Sequence, residues 1–320
     1  MGNRYPCGVL KFDVKRSMTP QDIAEVTELL DAVEKADAHK PLNDHLWIDL
    51  RLGGRAGFAG LTIRHPDTSQ PIAYCQVSRV NDSWSLDLVI DPQHRHQTLE
   101  LGNHLMAEAM QVIHEQGGGH IHWWVFDPTA DHQLLAQKVS LTPGRTLLQL
   151  RVKLPLSPSV VAATKNIATQ SFKVGIDDEQ WIALNNRAFA DHPEQGGWTK
   201  QILESRQSEK WFDAEGFLMH YINTTDSIAK HELAGFCWTK IDRDSDPLLG
   251  EIYVIAVDPR HHNKGLGRSL TVAGLNHLAT AGAATGMLFV DKDNIAAIST
   301  YLKLGFTTHH QEQAFVGDIN

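Results

Sequence analysis

A hydrophobic run that ends in Asp-Pro, then a short loop, then a helical pattern, occurs twice in this chain. The first copy is VIDPQHRHQTLELGNHLM, from Val89 to Met106, and the second is VDPRHHNKGLGRSLTVAGL, from Val257 to Leu275. The elements around the two copies follow one order. Before the first lies a helix over 19–37, with Thr19 as cap and Pro20 at the first helical position. Strands follow over 61–65, 72–80 and 85–91, then a helix over 99–117 and a strand over 120–126. The second half gives a helix over 177–190 and strands over 216–222, 233–241 and 251–257. A helix over 267–282, a strand over 286–291 and a short helix over 294–305 complete it. A repeat on this scale means one supersecondary unit folded twice, which removes most architectures at once. Strands interleaved with helices, some of them consecutive, predict an α/β fold with a mixed sheet in each copy. The chain's 320 residues suit two domains of roughly 150 each. LPLSPSVVAATKNIATQ, with its two prolines and weak periodicity, marks a linker over 154–170, leaving domains of 1–153 and 171–320.

Composition narrows the function classes. Hydrophobic residues make up 42% and charged residues 21%, the balance of a packed globular chain. A net charge of −9 argues against nucleic acid as the main partner, though not against a local basic pocket. Cys7, Cys75 and Cys237 are scattered, with no Cys-x-x-Cys pair, as in a reducing compartment. The N-terminus MGNRYPCGVLKFDVKRS lacks the apolar core of a signal peptide, and GNRYPC lacks the Ser/Thr of a myristoylation signal. No run approaches the ~18 apolar residues of a membrane span. A soluble cytoplasmic protein is expected, with oligomeric state left open. The histidine clusters in RHH, HIHWW and THHQ pair with no carboxylate or cysteine at a ligand spacing, so no metal is expected.

The second turn carries the chemistry. In HNKGLGRSL the glycines Gly265 and Gly267 stand where a helix begins. Backbone N–H groups at a helix N-terminus form an anion site, and glycine lets a phosphate approach them closely. Lys264 and Arg268 add positive charge. There is no Gly-Lys-Ser/Thr of a Walker loop and no third glycine of a dinucleotide fingerprint.

A strand ending in VDP, a Gly-x-Gly loop, a helix, the strand LFV and then DNIAAISTYLKLGF together resemble the GNAT acetyltransferase superfamily. The chain is therefore identified as a tandem pair of GNAT acyltransferase domains. The resemblance implies that the loop holds the pyrophosphate of acetyl-CoA, the acetyl donor, with His262 standing where Gln or Arg is usual. It implies cofactor contacts at Ile255, Ala256 and Val257, on a strand splayed at a bulge. It extends them to His262, Asn263, Lys264, Gly265, Leu266, Gly267 and Arg268, and to Asn294, Ile295, Ala296, Ala297, Ile298 and Ser299. Backbone N–H near Ala256 and Val257 would stabilise the thioester oxygen. Glu251, on the same strand, is the implied base for the attacking amine, and Tyr301 the implied acid for the leaving thiolate.

The first half departs from this pattern. Aligning Asp91-Pro92 with Asp258-Pro259 sets Trp84 against Glu251, and Thr98 and Glu100 against Gly265 and Gly267. Ala136 meets Tyr301. The first site is expected to be degenerate, although Arg95 fills the Gln/Arg position of its loop.

FADHPEQGGWT, GFCWTK, GEIYVIAVDP and DNIAAISTYLKLGF make the whole chain similar to the mycothiol synthase family, closely in the second half and loosely in the first. That family acetylates the cysteinyl amine of a cysteinyl-glucosaminyl-inositol, the last step in making the thiol mycothiol. The resemblance implies acceptor contacts at Glu34, Glu194, Lys240, Glu251 and Phe289, where the family can have tyrosine at the last position. Two other readings stay open. One is a GNAT enzyme for another amine, such as an antibiotic, a polyamine or a protein N-terminus. The other is a non-catalytic acyl-CoA-binding protein, which the presence of Glu251 and Tyr301 argues against.

Overall fold

The structure, a computed structural model, describes residues 11–80, 83–190, 195–223, 231–243 and 245–320. Two compact units emerge: Met1–Thr146 with Gln311–Asn320, and Leu147–His310.

The first unit begins with a strand, β1 (Lys11–Lys15), and two helices, α1 (Pro20–Asp37) and α2 (Asp44–Arg51). Next come β2 (Phe58–Arg64), β3 (Pro71–Val80), β4 (Ser83–Ile90), α3 (Thr98–Glu115), β5 (Gly119–Phe126), α4 (Ala130–Lys138) and the start of β6 (Thr142–Lys153). The start of α1 is set by a capping box. The Asp22 carboxylate accepts from Thr19 N–H at 2.9 Å, and Thr19 Oγ1 accepts from Asp22 N–H at 3.2 Å, with Pro20 at the first position. Val26, Leu29, Leu30 and Val33 recur on one face of α1, and they pack with Leu46 and Leu50 of α2 against Phe58, Tyr74 and Val89. The opposite sheet face packs Ala73, Cys75, Trp84, Leu86 and Trp123 against Leu101, Leu105 and Ala109 of α3.

The second unit takes the end of β6, then α5 (Pro158–Ala162), β7 (Gln170–Ser171), α6 (Asp178–Ala188), α7 (Lys200–Gln207), β8 (Phe217–Asn223) and β9 (His231–Asp242). It continues through β10 (Leu249–Val257), α8 (Leu266–Thr280), β11 (Thr285–Asp291) and α9 (Ile295–Lys303), and the chain ends in β12 (Thr307–Ile319). One sheet face carries Leu270, Leu275 and Leu278 of α8 with Tyr301 and Phe306. The other packs Trp181, Trp198, Phe217, Phe236 and Trp238 with α6 and α7.

The domain boundaries differ from the expected 1–153, 154–170 and 171–320, and strand pairing is the reason. Lys153 to Leu147 of β6 pair antiparallel with Thr285 to Asp291, so this strand completes the second sheet. Glu312 to Ile319 of β12 pair antiparallel with β5, so the last strand of the chain completes the first sheet. The expected linker is structured, with Leu154 and Leu156 buried in the second core beside Val160 and Val161.

Both units share one sheet plan. Within each unit, pairing among the described residues is antiparallel except for β4 with β5 and β10 with β11, and each of these parallel pairs is short. Four residue pairs, Ser83↔His120 to Leu86↔Trp123, join β4 to β5, and three, Leu249↔Thr285 to Glu251↔Met287, join β10 to β11. Beyond them the strands part. A bulge distinguishes the two copies: the β9–β10 register shifts between Ile252 and Val254, whereas β3–β4 runs unbroken from Ala73↔Ile90 to Val80↔Ser83. One extra residue swaps sheet faces. Ile252 packs with the α8 core, and after the bulge Ile255 and Val257 do so while Val254 and Ala256 face the α6 side. The counterpart of Glu251 is therefore Ser85 rather than Trp84: Ser85 pairs with Ser78 and His122 as Glu251 pairs with Lys240 and Met287.

A buried carboxylate in the first unit gives the fold a pH signature. Asp87 Oδ2 accepts from Asn43 N–H at 3.0 Å and from Asn43 Nδ2 at 3.4 Å. Burial pushes its pKa up to about 8, against the pull of the Asn43 N–H and with a push from Glu312. The unfolded chain releases this proton near pH 4, the folded chain only near pH 8, so stability falls as pH rises through that window. Asp87→Asn keeps an acceptor for Asn43 and removes the titration. Its stability relative to wild type should rise by about 1–3 kcal/mol between pH 5 and pH 8, read from thermal melts. A difference constant with pH would mean that Asp87 is ionised in the folded protein.

Candidate active site

The parting of β10 from β11 leaves one backbone edge of β10 without a strand partner among the described residues beyond Glu251, while β9 still pairs through Val257↔Gly235. Ile255, Ala256 and Val257 lie on this stretch. Such an edge can accept an extended ligand by strand addition. The Val257 carbonyl is already engaged, because His262 Nε2 lies 3.0 Å from it as donor. The imidazole thus braces the loop against the strand it leaves.

Asp258 anchors the turn from below. Its fully buried carboxylate accepts from Arg260 N–H at 3.0 Å and Nη2 at 2.7 Å, and from Arg187 Nε at 3.0 Å. The Arg260 hydrogen bonds first, and then those of Arg187, outweigh burial and hold this carboxyl well below the usual carboxylate range. Asn263 and Gly265 both take positive φ, at 60° and 77°. Gly265 is the N-cap of α8, so the first amides of the helix, at Leu266, Gly267 and Arg268, start without intrahelical acceptors. A Cβ built on Gly265 meets no atom within 4 Å, and one on Gly267 meets only Val257 Cγ2 at 3.9 Å. The residues present therefore fit a bulky anion: open space, donor amides and the positive end of a helix dipole. Lys264 Nζ lies 3.1 Å from His261 Nδ1, and Arg268 Nε donates to Thr164 Oγ1 at 2.9 Å.

The polar groups expected to do chemistry sit on the same unit. Glu251 is largely covered, with Lys240 Nζ 3.9 Å from its carboxylate. Lys240 Nζ also lies 5.1 Å from the Trp211 ring centre and 5.8 Å from that of Tyr253. Trp211 and Tyr253 meet edge to face at 4.9 Å. This aromatic corner fixes the lysine through cation–π contact. Neither ring is marked in the sequence: Trp211 lies in a turn without periodicity, and Tyr253 reads as an ordinary strand residue. Tyr301 is 8% exposed, and its ring lies 5.6 Å from that of Phe306. Its hydroxyl hydrogen-bonds no described residue and is not sealed from solvent. Burial, with Cys237 adding to it, pushes this phenol well above its ordinary pKa, so it stays protonated through the neutral range.

Asn294 caps α9, its side chain accepting from Ala297 N–H at 3.1 Å. Ile295, Ile298 and Ser299 line a shallow groove of about 420 Å³ along this helix, and Ile295 is 70% exposed. Ala296 faces solvent and Ala297 packs against the core. Phe289 is half-buried on β11, directly opposite Gln149 of β6. In the first unit, Glu34 lines a cavity of about 190 Å³ with Asp31, Lys40 and Trp47. Glu194 lies outside the described residues, and the same is true of Cys7.

The first unit's turn shares the Asp-Pro start but is built differently at the helix it enters. Thr98 begins α3 with its hydroxyl donating to the Arg95 carbonyl at 2.7 Å. Arg95 is held by Asp37 through two bonds of 2.8 and 2.6 Å. The arginine at the Gln/Arg position is thus tied to its own unit. Among the described residues no group of three or more His, Cys, Asp or Glu could hold a metal ion, and no helix is long and apolar enough to cross a membrane.

Residues 181–306 match the Acetyltransferase (GNAT) family. The chain is 37% identical over 292 residues to a mycothiol acetyltransferase of Thermobispora bispora, covering 90% of this chain and 94% of that one. The chain belongs to the mycothiol acetyltransferase family. A second member of that family, from Streptomyces bingchenggensis, is 33% identical over 313 residues, 95% of this chain and 96% of its own. Among solved structures, a GCN5-related N-acetyltransferase from Sphaerobacter thermophilus superposes with a TM-score of 0.71 at 19% identity, covering 97% of this chain and 96% of that one. A tandem GNAT protein from the clavulanic acid biosynthesis pathway gives 0.68 at 13% identity, covering 97% and 99%. The fold is that of a tandem GNAT protein, with a mixed sheet in each copy.

Proposed function

We propose that this member of the mycothiol acetyltransferase family moves acetyl from acetyl-CoA to the cysteinyl amine of cysteinyl-glucosaminyl-inositol, completing mycothiol. The observation that carries the reading is the conjunction, within the second unit alone, of a parted β10 edge, an open glycine N-cap beside it and a carboxylate on the same strand. Family membership supplies the acceptor.

Each residue has a part in this scheme. Amides at Leu266, Gly267 and Arg268 hold the pyrophosphate, with Lys264 and His262 beside it, and the stretch Asn294–Ser299 lies along the cofactor. Ile255, Ala256 and Val257 align the pantetheine, and the N–H groups among them that point to the open edge face the thioester oxygen. Glu251 takes the proton of the attacking amine, directly or through one water. A cysteinyl α-amine titrates near 8, so a carboxylate base has a modest task. Tyr301, held protonated by burial, returns a proton to the departing thiolate. Glu34, Glu194, Lys240 and Phe289 are assigned to the acceptor. The acceptor is a small molecule, and a cytoplasmic enzyme without nucleic-acid or membrane partners fits the reading.

The test is a panel of amines with acetyl-CoA: cysteinyl-glucosaminyl-inositol, an aminoglycoside, spermidine and a peptide N-terminus. The first should give a kcat/KM at least about a hundredfold above the others, the scale of several acceptor hydrogen bonds. A higher value for any other amine overturns the assignment of the acceptor.

A further inference from the structure

We infer that Arg151, braced by Gln149, is a specificity-determining residue of the acceptor site, selecting an oxygen-rich acceptor and disfavouring a polycation. The inference rests on the function proposed above. It starts from register. Lys240 lies opposite Glu251, Glu251 opposite Met287, and Met287 opposite Arg151, across four neighbouring strands. Residues directly opposite one another project from the same face of a sheet. Lys240, Glu251, Met287 and Arg151 therefore form one row, on the face that carries the base. One step along the strands, Phe289 lies opposite Gln149 on that same face.

The hydrogen bonding of the pair leaves mainly donors. Arg151 Nε donates to Gln149 Oε1 at 2.9 Å, which engages one lone pair of the amide oxygen. Gln149 is 4% exposed and Arg151 half-buried, yet neither the Gln149 Nε2 nor the Arg151 Nη groups bond another described residue. They are not sealed from solvent either. Among the described residues no carboxylate lies within ion-pair distance of the guanidinium, and burial lowers its pKa. A cation carried into a sheet face without a counter-charge, and oriented by a buried amide, is arranged to receive acceptor atoms from elsewhere. Phe289, the neighbouring position, has no polar group to offer. Two strand spacings separate Arg151 from Glu251, about 10 Å between backbones. An amine at Glu251 can then extend its sugar or polyol oxygens to the Arg151 N–H groups. A polyamine would set a second ammonium against the guanidinium.

The measurement is kcat/KM for cysteinyl-glucosaminyl-inositol and for cysteinamide, which lacks the polyol, in wild type, Arg151→Met and Arg151→Lys. The preference for the polyol amine should fall by about tenfold to a hundredfold in Arg151→Met, the worth of a charge-assisted hydrogen bond, through KM rather than kcat. Arg151→Lys should recover part of it. An unchanged KM for acetyl-CoA reports an intact fold, and Gln149→Leu reads the same ratio if Arg151→Met does not fold. A preference equal to wild type in these variants overturns the role of Arg151 and leaves the proposed function standing. A wild type with no preference for the polyol amine overturns the proposed function itself, and the inference with it.

Discussion

Glu251→Gln should lower kcat/KM by about 10²- to 10⁴-fold near pH 7, the range for removing a positioned general base. The amide keeps the size of the carboxylate and its place beside Lys240, whose Nζ lies 3.9 Å away in the wild type, so the loss reports proton transfer rather than collapse of the row. Below pH 8 the acceptor amine is mostly ammonium, and nothing in the variant removes its proton. Above pH 8 free amine is abundant without help. The deficit should therefore shrink steadily between pH 7 and pH 9.5, with acetyl-CoA affinity unchanged. A deficit of constant size across that range would take the role of base away from Glu251.

Gly265→Glu should raise the KM or Kd for acetyl-CoA by at least about a hundredfold, since opposing like charges costs several kcal/mol. Two effects act together. The substituted residue must hold φ near 77°, at a cost of order 1–3 kcal/mol. Its carboxylate then stands at the first amides of α8, where the pyrophosphate would accept. A Cβ at this position meets no atom within 4 Å, so the fold should survive, and the strain should lower the melting temperature by about 2–12 °C. Gly265→Ala separates the two effects, carrying the strain without the charge. The matching change in the first unit, Thr98→Gly with Glu100→Gly, should leave turnover nearly unchanged. If that pair rather than Gly265→Glu removed activity, the assignment of the live site would be reversed.

Much of this was legible in the sequence because it is local. The cap of α1, the Gly265 turn and the strands and helices that flank the two Asp-Pro turns depend on neighbouring residues, and periodicity reports them; it does not mark α2, α4, α7, β1 or β12. What the sequence did not reveal is non-local. TPGRTLLQLRVK reads as the end of a first domain, but its residues 147–153 pair with β11, and only long-range pairing decides that. The exchange of β12 into the first sheet is hidden for the same reason. The bulge in β10 has no composition mark, yet it shifts the counterpart of Glu251 from Trp84 to Ser85. Arg151 follows from the same blindness: until β6 is known to lie beside β11, nothing connects it with Glu251.

In the proposed reaction the second unit's site places acetyl on the cysteinyl nitrogen of a sugar-polyol acceptor. This is tested most directly by incubating the protein with acetyl-CoA and cysteinyl-glucosaminyl-inositol and locating the new acetyl group by mass spectrometry and NMR. One acetyl per acceptor is expected, on the cysteinyl nitrogen with the thiol left free, formed by wild type and lost in Glu251→Gln near pH 7. Acetyl found on sulfur or on a hydroxyl, or no product while acetyl-CoA still binds, would contradict it.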